Sequence, residues 1–353
     1  VTAHILYADV PGFYAEVERA VRPELAGRPV LVGGDPRKKG LVQAASADAI
    51  AAGVRVGMPV ELAQARCPRA RALRTDMPRY REMDKRWRAC VAQVCDQLEP
   101  AGLGAAFFDV RGVRDPIDTC ARRLREAVAR ELRLPLRVGA APVKFVARLA
   151  AEEAGVGGFV AVAPSDTEKF LAPLAVSRLP GVGPNTEARL VELGARRIGE
   201  LVALGRAALE AELGNRGLEL VAAALGRGDD RVRAARHPQT LSQEATLSAS
   251  EVDRAVLAEQ LRTLVDRLER ALVLERLAAR RLVLKVRYAD GQGATRSCSF
   301  ERGIAAAPDL FAEAQRLLAR TDAGARPVRL LGLAASGLER PGRDERQLSL
   351  FEP

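Results

Sequence analysis

Leu98-Glu99-Pro100-Ala101-Gly102-Leu103-Gly104-Ala105-Ala106-Phe107-Phe108-Asp109-Val110 is the stretch on which the fold turns. It reads as a short apolar strand, and its neighbours fix its place. Before it, Met77-Pro78-Arg79-Tyr80 opens a helix predicted to run through Leu98, with Met83, Trp87, Val91, Val94 and Leu98 spaced three and four apart as a core stripe. After it comes a helix from about Pro116 to Leu132, the strand Leu136-Arg137-Val138-Gly139-Ala140, and a helix from Val143 to Ala150. Further upstream, residues 4–9 read as a buried strand ending in Asp9, followed by a Pro11-Gly12 turn into a helix that begins Phe13-Tyr14-Ala15-Glu16. Strands alternating with helices imply a mixed sheet covered by helices, an α/β (α+β) architecture. An acid at a strand's end beside a turn is either a helix-capping carboxylate or a projecting catalytic group.

Outward from this core, Arg28–Gly34 and Gly40–Ser46 read as two more strands, followed by an alanine-rich helix, Ala47 to Ala52, stopped by Gly53. Past residue 165 the pattern becomes helical. Leu179-Pro180-Gly181-Val182-Gly183-Pro184-Asn185-Thr186 has the form of a helix-hairpin-helix, whose glycines let backbone approach a phosphate and whose next helix start offers free amides at Asn185 and Thr186. The alternative is a purely structural helical hairpin. Residues 226–239 are polar and aperiodic, a linker. Beyond them, Gln243–Leu247 leads into a helix from Asp253 to Glu275, then alternating strands at 281–288 and 294–300, a helix near 309–319 and a strand from Val328. Arg281, Lys285 and Arg287 share one parity of their strand and Arg296 lies on the next, giving either a solvated face or a surface for DNA phosphates. A polar tail ends in Gln347-Leu348-Ser349-Leu350-Phe351, apolar residues on a tether that suit docking to a partner.

Composition narrows the function classes. At 353 residues, two to four domains are expected. Lys plus Arg number 55 against 45 Asp plus Glu, a net +10 that favours a polyanionic partner such as nucleic acid. Five cysteines without a CxxC pair support neither a zinc site nor a disulfide framework. No apolar run approaches the roughly 20 residues that span a bilayer, and no basic and apolar leader precedes the first strand, so no membrane association or export is expected.

These residues resemble the Y-family DNA polymerases of the DinB (polymerase IV) class from about residue 4 to 338. The resemblance is carried by Asp9 with Phe13–Glu18, Arg22–Gly34, Ala45-Ser46 to Gly57-Met58-Pro59, Arg79-Tyr80, Lys144–Ala150, the hairpin at 179–190, Glu244–Leu247 and Arg326–Gly332. It implies a right hand with a palm (1–9 and 73–165), fingers (10–72), a thumb with the helix-hairpin-helix (166–231), a linker (232–239), a little finger (240–340) and a tail (341–353). The terminal peptide is similar to those that bind the sliding clamp, through Gln347, Leu348, Leu350 and Phe351.

By the same resemblance, phosphoryl transfer would use two Mg²⁺ ions held by Asp9 and an adjacent Asp-Glu pair. Gly104 and Ala105 stand at that pair, so tight Mg²⁺ binding is not expected. Asp109 and Glu99 are the nearest carboxylates to stand in, and the resemblance gives Asp109 a structural place. Phe13, Tyr14, Lys144 and Arg148 match nucleotide-binding positions, whereas Ala47 and Ile50 replace the family's Tyr and Arg on the triphosphate. The expectation is a cytoplasmic, nucleoid-associated monomer, non-catalytic or very weak. It would bind primer-template DNA and the clamp as an adaptor in translesion synthesis, alongside another error-prone polymerase. An active error-prone polymerase with other metal ligands, or a generic structure-specific DNA binder, are the alternatives.

Overall fold

In the computed structural model, residues 3–35, 40–95, 97–113, 115–233 and 239–340 are described. The chain divides into two units, Val1–Ala235 and Arg236–Pro353. The first unit contains β1 (Ile5–Asp9), β2 (Val30–Gly33), β3 (Val42–Ala45), β4 (Arg71–Arg74), β5 (Leu98–Gly102), β6 (Ala105–Asp109), β7 (Arg137–Ala141) and β8 (Phe159–Ala161). They form a five-stranded sheet in the order β5-β6-β1-β7-β8 and a three-stranded sheet in the order β3-β2-β4.

The opening stretch is two strands rather than one. β5 and β6 pair antiparallel around Leu103-Gly104, where Gly104 has φ +68°, a left-handed turn that glycine reaches without strain. The helix before it spans Met77–Ala92 and stops short of the expected Leu98, because Leu98 is already a strand residue paired with Phe108. Its start is fixed by Asp76, whose carboxylate accepts the Arg79 amide at 3.2 Å.

β1 sits centrally and is buried on both faces, as its unbroken apolar run requires. Leu6 and Ala8 join Trp87, Phe108 and Leu124 in one core, under the helices Met77–Ala92 and Ile117–Leu132. Ile5 and Tyr7 join Val146, Ala147 and Leu149 in the other, under the helix Lys144–Ala154. That helix lies so close to β7 that a Cβ at Gly139 would collide with the Ala147 carbonyl and the Ala151 amide, so only glycine fits there. The helices Pro184–Glu192, Ile198–Leu204, Arg206–Leu213 and Asn215–Ala224 extend this second core through Leu190, Leu201, Leu209 and Leu220.

The second unit is an antiparallel sheet of β9 (Thr240–Glu251), β10 (Ala278–Tyr288), β11 (Gly293–Ile304) and β12 (Val328–Glu339), ordered β11-β10-β12-β9. The segment expected only to lead into a helix is thus a twelve-residue strand, β9. The helices Arg254–Glu275 and Ala307–Ala319 bury one face of the sheet with Leu282, Leu284 and Val286. Most of the expected linker, residues 234–238, and the whole tail lie outside the described residues, including Gln347, Leu348, Leu350 and Phe351. Among the described residues no helix is long and apolar enough to cross a membrane.

Candidate active site and nucleic-acid interface

Antiparallel register builds the site at Asp9. β1 pairs with β6 and β7, setting Ala105 and Arg137 directly opposite Asp9, so the three residues form one row across adjacent strands and share a face. Asp9 is 9% exposed. Arg137 reaches across that row: its Nε donates to Asp9 Oδ1 at 2.7 Å and its Nη2 to Oδ2 at 3.0 Å, a two-pronged pairing that engages both carboxylate oxygens. Ala105 contributes only a methyl group to the row. Gly104 precedes it, its amide held by Asp84 at 2.7 Å and its carbonyl accepting from the Val10 amide at 3.0 Å. A Cβ at Gly104 would run into the Phe13 ring, 2.7 Å from Cε2.

The two alternative carboxylates are also engaged. Asp109 is paired with Ile5 at the far end of β1 and binds Arg111 through both oxygens at 3.0 Å. Glu99 is bound to Lys144 Nζ at 2.6 Å, and the same oxygen accepts the Arg233 amide at 2.6 Å. Among the described residues no group of three or more His, Cys, Asp or Glu side chains is arranged to hold a metal ion.

Lys144, expected to meet a nucleotide, is 8% exposed and lies between Glu99 and Asp229, the latter at 3.0 Å. Burial favours the neutral Asp229 carboxyl, but hydrogen bonds from Arg233, Lys144 and the Arg231 amide outweigh it and lower its pKa to about 2. Arg148 lies one helical turn on, only loosely apposed to Glu152 at 3.9 Å. Phe13 is buried in the core, and Tyr14 stacks on Tyr80 with ring centroids 4.4 Å apart. Tyr14 also walls an open cleft of about 310 Å³ with Gln43, Ile50, Val56 and Leu103, and the exposed Ile50 gives that wall no charge for a phosphate.

The hairpin glycine Gly181 has φ +78° and Gly183 caps the helix Pro184–Glu192, which puts the amides of Asn185 and Thr186 in a first turn lacking intrahelical acceptors. The Arg216 guanidinium lies where a Cβ at Gly181 would project.

In the second unit the face of the sheet opposite the helices carries Arg281, Lys285 and Arg287 on β10. Beside them lie Thr295, Ser297 and Ser299 on β11, Ser336 on β12 and Ser242 on β9. Arg281 donates to Ser297 Oγ at 3.0 Å and Lys285 to Glu244 at 3.1 Å. Arg296 does not share this face. It sits opposite the buried Leu284 and donates to the Arg320 carbonyl at 2.9 Å, at the end of the helix Ala307–Ala319.

Sequence reasoning missed Arg137, Asp84 and Asp229. Arg137 carried a signal, as a lone charge in the strand Leu136–Ala140, but only register reveals its partner.

Two family models match the chain. The impB/mucB/samB family covers residues 8–152, and the C-terminal domain of the same family covers residues 238–350. A protein described as DNA polymerase IV from Halorhodospira halophila is 37% identical over 344 residues, covering 97% of each chain. Another so described, from Alkalilimnicola ehrlichii, is 35% identical over 353 residues, covering 98% of this chain and 99% of its own. Among solved structures, a Y-family DNA polymerase chimera of Dbh and Dpo4 superposes with a TM-score of 0.82 at 22% identity, covering 95% of this chain and 98% of that one. An insertion ternary complex of Dbh DNA polymerase gives 0.73 at 22% identity, covering 94% and 98%.

Proposed function

The chain belongs to the DNA polymerase IV (DinB) family of Y-family DNA polymerases, and from that premise we propose that it is a non-catalytic or nearly inactive member, an adaptor that binds primer-template DNA and the sliding clamp in translesion synthesis. One observation carries the reading: beside Asp9, where the family resemblance expects an Asp-Glu pair, stand Gly104 and Ala105. Two-metal phosphoryl transfer needs carboxylates to hold both ions against their mutual repulsion. Mg²⁺ also asks for near-octahedral oxygen ligands. Here the remaining carboxylate has both oxygens in hydrogen bonds from Arg137. Gly104 and Ala105 supply no ligand, and Glu99 and Asp109 are spent elsewhere. These residues do not fit a pair of divalent ions.

What supports DNA binding is the opposite condition in the second unit, where the sheet face free of helices combines arginine and lysine with serine and threonine hydroxyls. Such groups suit phosphate oxygens and read no bases. The hairpin at Gly181 and the helix start at Gly183 add backbone amides of the same use. The net charge of +10 agrees.

Primer extension with the purified chain and Mg²⁺ or Mn²⁺ tests the proposal. No templated incorporation is expected, whereas incorporation abolished by Asp9→Ala would replace the adaptor with a working polymerase. Deletion of residues 347–351 is expected to abolish clamp binding while leaving DNA affinity unchanged. Clamp binding that survives the deletion would leave a generic DNA binder as the better account.

A further inference from the structure

We propose that the Arg137 guanidinium is a resident cation that takes the place of divalent metal at Asp9, so that this corner of the sheet is charge-balanced by the protein itself. The proposal rests on the reading that Asp9 stands at the family's metal position, and goes beyond it by naming what neutralises Asp9 instead. Register sets the two side chains opposite one another on adjacent strands. The planar guanidinium fork then meets both carboxylate oxygens, at 2.7 and 3.0 Å, with the carboxylate largely buried. A guanidinium keeps its charge at every working pH. A cation at Asp9 would have to share the carboxylate with the Arg137 guanidinium, placing two positive charges at one largely buried carboxylate.

A second, independent feature leaves no place for a further metal-binding carboxylate at position 104. Where a metal-binding carboxylate would be attached at position 104, the backbone is left-handed and the space next to Cα is filled by the Phe13 ring. Phe13 is buried in the main core, so its ring is not free to swing away. Asp9 thus faces a fixed positive charge on β7 and a bare methyl on β6, and position 104 has no room for a carboxylate.

Mn²⁺, followed by thermal melting and by its electron paramagnetic resonance spectrum, tests this on the full chain. The wild-type chain is expected to show an unshifted melting temperature and the spectrum of the free ion. Asp9→Asn is expected to lower the melting temperature, with and without Mn²⁺ alike, because it leaves the guanidinium without its counter-ion. Arg137→Ala is expected to acquire a Mn²⁺-dependent rise in melting temperature that Asp9→Asn/Arg137→Ala lacks. Binding of Mn²⁺ by the wild-type chain that Asp9→Asn removes would overturn the proposal, and so would a folded Arg137→Ala chain that gains no response. If Arg137→Ala does not fold, the comparison of wild type with Asp9→Asn decides alone. A chain that binds Mn²⁺ at Asp9 yet extends no primer overturns this inference and leaves the adaptor reading standing. Extension without an Asp9-dependent Mn²⁺ response does the reverse.

Discussion

Gly104 is the residue at which conformation and chemistry meet. With φ +68° it occupies backbone that costs a non-glycine residue roughly 1–3 kcal/mol, and its missing side chain is replaced by Phe13. Gly104→Asp is therefore expected to destabilise the first unit, since overpacking a core adds about 1–3 kcal/mol more. Urea unfolding checks this, and an unchanged midpoint would show that Phe13 and the turn yield without cost. In the sequence, Gly104 and Ala105 take their significance only from the family resemblance, which sets them where an Asp-Glu pair is expected. Arg137 is not legible in the same way. A charge in a strand reads equally as a solvated edge residue, and only the pairing of β7 with β1 aims it at Asp9.

Among elements, the sequence reveals those with strong periodicity and misplaces those whose ends are set by tertiary partners. The helix Ile117–Leu132 starts and stops within a residue of expectation, whereas the hairpin β5–β6 reads as one strand because Leu103 and its neighbours are apolar and the turn depends on glycine conformation alone. The segment after the last helix of the first unit is a further case. It looks like the beginning of a linker, yet the Asp229 carbonyl accepts the Lys144 amide at 2.9 Å and its carboxylate accepts Lys144 Nζ and the Arg231 amide. Arg233 bonds Glu99 on β5, so residues 229–233 are strapped along the sheet. Hydrogen bonds hold the Asp229 carboxyl at about 2, below the roughly 3.9 of an unfolded chain. The sign follows: a depressed carboxyl pKa contributes stability that is complete above pH 4 and is lost as pH falls through 2. Solvent access to Asp229 keeps the contribution modest. Hydrogen exchange at the Arg231 amide should thus lose protection between pH 4 and pH 2, and Asp229→Asn should show the loss at pH 4 already. Protection that is flat across this window in the wild type would mean that the strap is held by backbone alone.

At the scale of the whole molecule, alternation of strands and helices is enough to reach the mixed α/β class. The sequence also separates the second unit from the first, because the polar stretch before residue 240 interrupts both periodicities. What it does not resolve is which face of a sheet a basic residue occupies once strands are paired. Arg281, Lys285 and Arg287 lie on the open face, but Arg296, one strand away, is opposite Leu284 and ties β11 to the Arg320 carbonyl. That difference makes a quantitative prediction about DNA. Each phosphate neutralised contributes about 0.9 to the slope of log affinity against log salt concentration, so replacing Arg281 and Arg287 together by alanine should lower the slope by about 1.8. Lys285 starts from an ion pair with Glu244 at 3.1 Å, so Lys285→Ala should change the slope less than either arginine does, unless DNA displaces Glu244. Arg296→Ala should leave the slope unchanged while lowering the melting temperature of the second unit, since its guanidinium satisfies a helix-end carbonyl. Fluorescence anisotropy with a primer-template duplex, titrated across salt concentrations, separates these outcomes. A slope that falls with Arg296→Ala and not with the Arg281/Arg287 pair would put the nucleic acid on the other side of the sheet.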